Sequence, residues 1–199
     1  MTQIRLSMSG KMKSGKDALA EIIKGYIEVR SSLPAHPVTI VHVAQSVYTV
    51  TEILIGYRLF GKKIIKKTAF ERKALQLVGA WGRFFFGKDI WLRQAIKALK
   101  KIDGHVMVSG VRFPNEVTAL KEAGFQSVYV ECDEALRLSR GAKHTQDITE
   151  TAFDCVNREK LFDYIVTNNN SYAHLREEAI RIIRSAYNHE VSKTASIGV

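Results

Sequence analysis

Cysteine is scarce. Cys132 and Cys155 are the only two in 199 residues, too few for a disulfide framework and without metal-ligand spacing, so a reducing cytoplasm is the expected setting. Long apolar runs are missing too. Nothing approaches the ~18 consecutive apolar residues of a membrane span, so no membrane partner is expected. The opening segment MTQIRLSMSGKMKSGK has neither the apolar stretch nor the cleavage site of a secretory leader. With three prolines, no internal repeat and no linker rich in Pro, Gly or Ser, the chain reads as one domain over 1–188 and a disordered tail at 189–199. Acidic residues are in deficit, 20 against 30 Lys and Arg, for a net charge of +10. Residues 56–101 carry 13 basic and 2 acidic side chains, which accounts for effectively the whole excess. A surface of one sign collects phosphates, on nucleotides or on nucleic acid, or is simply solvated.

What is present is an alternation of short apolar runs and amphipathic segments. Strands are expected at Ile4–Met8, Val38–Val43, His105–Ser109, Ser127–Cys132 and Tyr164–Thr167. A helix over 16–29 places Ala18, Leu19, Ile22, Ile23, Tyr26 and Ile27 on one face. Residues 44–101 read as mainly helical, interrupted near Gly56, Gly61 and Gly87. Further helices are expected over 115–123, closed by Gly124, and over 172–187. The polar stretch 133–160 reads as partly helical and mobile. Five strands interspersed with helices indicate an α/β fold with a parallel sheet.

Between the first strand and the first helix lies Gly10-Lys11-Met12-Lys13-Ser14-Gly15-Lys16-Asp17. Its spacing, G-x-x-x-x-G-K between a strand and a helix, is that of a phosphate-binding loop. The glycines let the backbone curl so that successive N–H groups point inward, and the helix start adds positive potential. Lys16 is the cation for the outer phosphates; Lys11 and Lys13 add charge at the rim or are solvated. The usual pattern ends in Ser or Thr for Mg²⁺. Here Asp17 stands in that place, either as a hard oxygen ligand for the metal or as a favourable charge at the helix start.

The ending Gly-Lys-Asp resembles the deoxynucleoside monophosphate kinases of bacteriophages and their bacterial relatives. Further segments resemble that family in the same order: Arg72-Lys-Ala-Leu-Gln76-Leu-Val-Gly79, Asp89-Ile-Trp91, Gly110-Val-Arg112-Phe-Pro-Asn115-Glu116 and Tyr164-Ile-Val-Thr167-Asn168-Asn169. The likeness spans about 1–185 and is thin between 30 and 70. It implies a three-layer P-loop fold: a five-stranded parallel sheet, a helical acceptor-binding insertion at 44–101 and a lid region at 133–160. It also implies phosphoryl transfer from ATP·Mg²⁺ to a (deoxy)nucleoside monophosphate.

On that reading Lys16, Arg112, Arg137 and Arg140 are the catalytic candidates. Arg112 stands just past a strand's carboxyl end, where open parallel sheets bind ligands, and Arg137 and Arg140 share one side of a helix as lid arginines. Lys143 and His144 either assist them or are solvated. Gly10, Lys11, Lys13, Ser14, Gly15, Lys16 and Asp17 hold ATP; Asn168 with Asn169 either contacts the adenine or forms a turn. Arg72, Gln76, Arg83 and Trp91 are acceptor candidates, each equally a surface charge or, for Trp91, a core ring. One departure stands out: where the family pattern has an acidic residue before Val-Arg-Phe this chain has Gly110, and Asp17 or Ser109 is left to take over its work.

Two other readings remain open. One keeps the loop and changes the acceptor to phosphomevalonate, dephospho-coenzyme A or a polynucleotide end. The other is a nucleotide- or nucleic-acid-binding module without catalysis, which predicts steeply salt-dependent DNA or RNA binding; the kinase reading expects at most weak, non-specific nucleic-acid contact through the basic 56–101 region. Either a monomer or a homodimer is compatible with the sequence.

Overall fold

The computed structural model describes residues 3–30, 37–55, 68–87, 89–142 and 148–197. The five expected strands form, as β1 (Arg5–Ser9), β2 (Val38–His42), β3 (His105–Val111), β4 (Gln126–Glu131) and β5 (Tyr164–Thr167). They make one parallel sheet in the order β2-β3-β1-β4-β5. β1 lies in its centre, paired in parallel with β3 on one side and β4 on the other. Both of its faces are covered, and Leu6, Ser7, Met8 and Ser9 are all buried. The β1–β3 register slips between Met8 and Ser9, which pair with Ser109 and Val111 and leave Gly110 as the extra residue of a bulge.

Helix α1 (Lys16–Arg30) and the last helix cover one face of the sheet. The expected apolar spacing in α1 puts Leu19, Ile23 and Ile27 into a core shared with Met8, Val128, Val130 and Val166 of the strands. The last helix adds Leu175, Ala179, Ile182 and Ala186 to it. Side chains such as Leu19 and Ile182, with no exposed surface, contribute about 1.5–3 kcal/mol each. After β3, α5 (Pro114–Glu122) buries Val117 and Leu120. After β4 come three short helices, α6 (Glu134–Ser139), α7 (Ile148–Thr151) and α8 (Arg158–Leu161). Phe153 and Phe162 pack on Tyr129 of β4, with ring centroids 5.7 and 5.0 Å away, and so fasten this segment to the sheet.

The last helix, α9 (Tyr172–Ile197), corrects one expectation. The sequence expectation for 189–199 is a disordered tail. Instead the helix runs on through Ile197, and residues 188–197 contain neither proline nor glycine to interrupt it.

Contacts divide the chain into two compact units, one of residues 1–41 and 102–199, the other of residues 42–101. The second is helical: α2 (Gln45–Leu54), α3 (Ala69–Phe86) and α4 (Ile90–Leu99). Helix α3 opens with a reciprocal cap, in which Glu71 N–H donates to Thr68 Oγ1 at 3.2 Å and Thr68 N–H to Glu71 Oε2 at 2.6 Å. It ends at Gly87, as expected; Gly56 and Gly61, the other two expected interruptions, lie outside the described residues. Leu92, Ala95 and Leu99 are the buried face of α4.

Candidate active site

The turn from β1 into α1 is shaped by what its glycines allow. A Cβ on Gly10 would stand 2.5 Å from Val130 O and 2.6 Å from Ser14 Oγ. Gly15 has φ +97°, and a Cβ there would collide with Asn168 Nδ2. Lys13 is the one described non-glycine residue with positive φ, 62°, a conformation that costs an L-residue roughly 1–2 kcal/mol. Such strain persists where the surrounding structure fixes it, commonly at a ligand site. Ser14 N–H closes the turn on Lys11 O at 3.2 Å, and Leu19 N–H on Gly15 O at 2.9 Å starts the helix. Ser14 Oγ is buried without a hydrogen-bond partner among the described residues.

Lys16 is buried at the helix start, with Nζ 3.3 Å from Asp17 Oδ2. The Asp17 side chain is 66% exposed, and its Oδ1 accepts a 2.6 Å hydrogen bond from Ser109 Oγ at the end of β3. A carboxylate and a hydroxyl therefore face each other beside the loop. Among the described residues no group of three or more His, Cys, Asp or Glu side chains is positioned to hold a metal ion. A Mg²⁺ ion bound mainly through substrate phosphates and water needs only one or two protein carboxylates; Asp17 is the carboxylate beside this loop, with the Ser109 hydroxyl in contact with it.

Two arginines reach the loop's backbone. Arg112 Nη1 lies 3.4 Å from Gly10 O, and Arg137 Nη1 donates to Met12 O at 3.2 Å. Arg137 is buried on α6, and its Nε has no partner among the described residues. Arg112 is aimed by Glu116 of α5, whose Oε2 accepts the N–H of Arg112 at 2.7 Å and of Phe113 at 3.2 Å. A third participant is not marked by any sequence motif. Glu150, on α7, is buried; its Oε2 accepts Met12 N–H at 2.6 Å and its Oε1 accepts from Arg112 Nη1 at 2.7 Å. It lies in a polar stretch without periodicity, where nothing local marks it. Lys11 Nζ turns outward to Asp154 at 2.7 Å. Lys143 and His144 lie outside the described residues.

The end of β5 forms the other flank. Asn168 is buried; its N–H donates to Glu131 O at 2.8 Å and its Nδ2 to Ser14 O at 2.8 Å. Arg140 follows α6 and donates to Asn168 O and to Cys132 Sγ, both at 3.4 Å. Burial pushes the Cys132 thiol above its ordinary value despite the Arg140 guanidinium beside it. A cavity of about 430 Å³ opens here, lined by Lys13, Lys16, Arg140, Asn168, Asn170 and Tyr172 among others, a volume in the usual range for a small-molecule site. Asn170 and Tyr172 were not singled out from sequence, although their position past a strand's carboxyl end is where a parallel sheet binds ligands.

The acceptor candidates belong to the helical unit. Gln76 and Arg83 are exposed on α3; the Arg72 side chain lies outside the described residues. Trp91 is half-buried on α4: its Nε1 donates to Gly79 O at 3.0 Å, and its ring lies where a Cβ on Gly82 would be. Its indole is therefore engaged in packing α4 on α3. On α3, Trp81 and Phe84, Phe85 and Phe86 are exposed.

No protein-family model and no curated protein matches the chain. Solved structures do. A gluconokinase from Sinorhizobium meliloti 1021 is 15% identical, over 96% of this chain and 98% of that one, with a TM-score of 0.53. A shikimate kinase from Acinetobacter baumannii in complex with shikimate is 14% identical over 94% and 95%, TM-score 0.52. A dephospho-CoA kinase from Campylobacter jejuni is 14% identical over 94% and 100%, TM-score 0.51. The fold is thus the α/β fold of the P-loop kinases. The resemblance to deoxynucleoside monophosphate kinases rests on the sequence segments alone. No described helix is long and apolar enough to cross a membrane.

Proposed function

We propose that the chain is a kinase that transfers the γ-phosphoryl group of ATP, presented with Mg²⁺, to the phosphate of a nucleoside monophosphate, yielding two diphosphates. The observation that carries this reading is the pair of guanidinium groups on the loop's backbone, Arg112 Nη1 3.4 Å from Gly10 O and Arg137 Nη1 3.2 Å from Met12 O, in a loop that also carries a buried Lys16. A loop that merely stored a nucleotide would gain little from two further cations bound to its backbone. Transfer between two phosphates needs them, because charge accumulates where donor and acceptor meet. An acceptor phosphate oxygen bonds to the γ-phosphorus, the bond from that phosphorus to the bridging oxygen breaks, and the electron pair leaves with ADP. Positioning and charge neutralisation suffice, with no nucleophile from the protein.

Within that reading the loop amides and Lys16 bind the triphosphate, and Asn168 braces the loop from the far side. Asp17 and Ser109 would hold Mg²⁺, which supplies positive charge to the phosphate oxygens when bound. The cavity beside Asn170 and Tyr172 suits the nucleoside of ATP, with the exposed Tyr172 ring available for stacking. The acceptor assignment is supported by the segments around Arg72 and Arg112 that resemble the deoxynucleoside monophosphate kinases. Proteins of the same fold are named for other acceptors, among them dephospho-CoA, so a different phosphorylated acceptor is the second reading; fold alone does not choose between them.

ADP release, measured with ATP and each common nucleoside and deoxynucleoside monophosphate and then dephospho-CoA, tests both. Turnover with a monophosphate and none with dephospho-CoA supports the first reading, and the reverse supports the second. Lys16→Ala should lower turnover by about 10²–10³-fold, the usual cost of removing one donor to developing charge. It should leave the melting temperature near its original value, because Ser109 still holds Asp17. Full activity in that variant would refute the mechanism.

A further inference from the structure

Glu150 occupies a position that the proposed reaction requires for something else. Its two carboxylate oxygens divide two donors between them, Oε2 taking the N–H of Met12 at 2.6 Å and Oε1 taking Arg112 Nη1 at 2.7 Å. Met12 is a residue of the phosphate-binding turn, and a second acceptor near the Arg112 guanidinium, Gly10 O, belongs to the same turn. The Glu150 side chain is 7% exposed, so water supplies little of its solvation. Met12's peptide is fixed on its other side as well, by Arg137 Nη1 on Met12 O.

We propose that Met12 N–H, on the same loop as Lys16, and the Arg112 guanidinium form an anion subsite separate from the Lys16 ammonium. In the ligand-free chain Glu150 fills it, and a phosphate monoester of the substrate displaces Glu150 on binding. The subsite takes two adjacent anionic oxygens, which a carboxylate and a phosphate both present. A structural role for the Glu150–Arg112 pair is the weaker explanation: the Arg112 backbone is already held by Glu116, and a pair that served only to anchor α7 would not need a loop amide. Helix α7 is a single turn, so moving the carboxylate away disturbs one turn of helix and no sheet hydrogen bond. This deepens the kinase reading, because it gives the loop a second anion position where an acceptor phosphate would meet the transferring group.

The arithmetic is that of a competing internal ligand. If Glu150 is seated about nine-tenths of the time, an incoming oxyanion binds about tenfold more weakly than to the vacated site. The probe is inorganic phosphate, titrated calorimetrically into the full chain without ATP. Glu150→Gln should tighten phosphate about tenfold. Glu150→Asp, one methylene shorter, keeps the charge but withdraws it from Met12, and should tighten phosphate as well. Asp154→Asn removes a nearby charge from Lys11 without touching the loop amides and should change the affinity less than twofold. Adding Arg112→Ala to Glu150→Gln should abolish the gain. Unchanged or weaker phosphate binding in folded Glu150 variants overturns the proposal, as does an equal gain from Asp154→Asn. Failure of the kinase reading is seen separately, as absence of ADP release by the unmodified chain.

Discussion

Asn168 and Gly15 should behave as one unit, and the structure specifies how. The Asn168 amide donates to Ser14 O at 2.8 Å, and Ser14 is fully buried. Asn168→Ala strands that carbonyl, at a cost of about 1–3 kcal/mol; for a chain of this size that is roughly 2–12 °C in melting temperature. Gly15→Ala adds two terms: backbone strain at φ +97°, about 1–3 kcal/mol, and the collision with the Asn168 amide, about 1–3 kcal/mol of overpacking. Once Asn168 is shortened to alanine, the nearest remaining atom of that residue is its Cβ, 4.0 Å from the new methyl, an ordinary contact. The overpacking term then vanishes. The double variant should therefore be more stable than the sum of the two singles by about 1–3 kcal/mol, well above the scatter expected for independent sites. Urea or thermal unfolding of the four proteins measures it. Additive losses would refute the bracing role. So would an Asn168→Ala chain of unchanged stability that had lost its preference for ATP over GTP, since the amide would then be reading the base.

Two further outcomes follow from single positions. Gly110 lies in the β3 bulge with φ +81°, a conformation that Asp tolerates at roughly 1–2 kcal/mol. Gly110→Asp should therefore melt a few degrees lower and gain no rate, because Asp17 and Ser109 already provide a carboxylate and a hydroxyl beside the loop; a large gain in turnover would show that the missing carboxylate limits this protein. Burial alone would raise the Asp163 carboxyl, but hydrogen bonds from Lys121, Ser127 N–H and Ser127 Oγ, with the Lys121 charge, outweigh it and hold it below the usual aspartate value. A carboxyl depressed by folding contributes stability that is complete above its unfolded value and is lost as pH falls through its folded one. The stability gap between the native chain and Asp163→Asn should thus be full at neutral pH and shrink below about pH 3.9; a gap independent of pH would show that the carboxylate contributes nothing by its charge.

What could be read from the sequence was whatever is local. Leu19, Ile22, Ile23 and Ile27 announce α1 because helical periodicity is a property of neighbours, and Gly10 to Lys16 announce the loop because their spacing lies within one turn. The extent of α9 is less legible: its buried face ends at Ala186, whereas residues 188–197 hold nothing that breaks the helix. Glu150 is the opposite case. It meets Met12 across 138 positions, and its partner is a backbone N–H, which every residue but proline carries and no sequence pattern reveals. Asn168 belongs with it. An Asn-Asn pair after a strand reads as a turn or a base contact, and its role as a brace appears only when Ser14 O is found at the other end of its amide.

The departure at Gly110 illustrates how a missing residue and a substituted one can be the same event. In the usual P-loop site a hydroxyl stands at the helix start and a carboxylate at a strand end, and together they serve the metal. Here the helix start carries the carboxylate, Asp17, and the strand end carries the hydroxyl, Ser109, in contact at 2.6 Å. The bulge explains why Ser109 is the residue that meets Asp17. With Gly110 squeezed out of register, Ser109 is the last residue of β3 paired before the slip, and Val111 takes up the pairing with Ser9. An acidic residue at 110 would sit on the bulged peptide rather than in the ladder, whereas Ser109 is fixed by its pairing with Met8 and aimed at α1. Read position by position, the chain lacks the strand's acid. Read as a facing pair, it retains both chemical groups with their carriers exchanged, and that is the arrangement on which a metal-assisted transfer in this protein would have to rely.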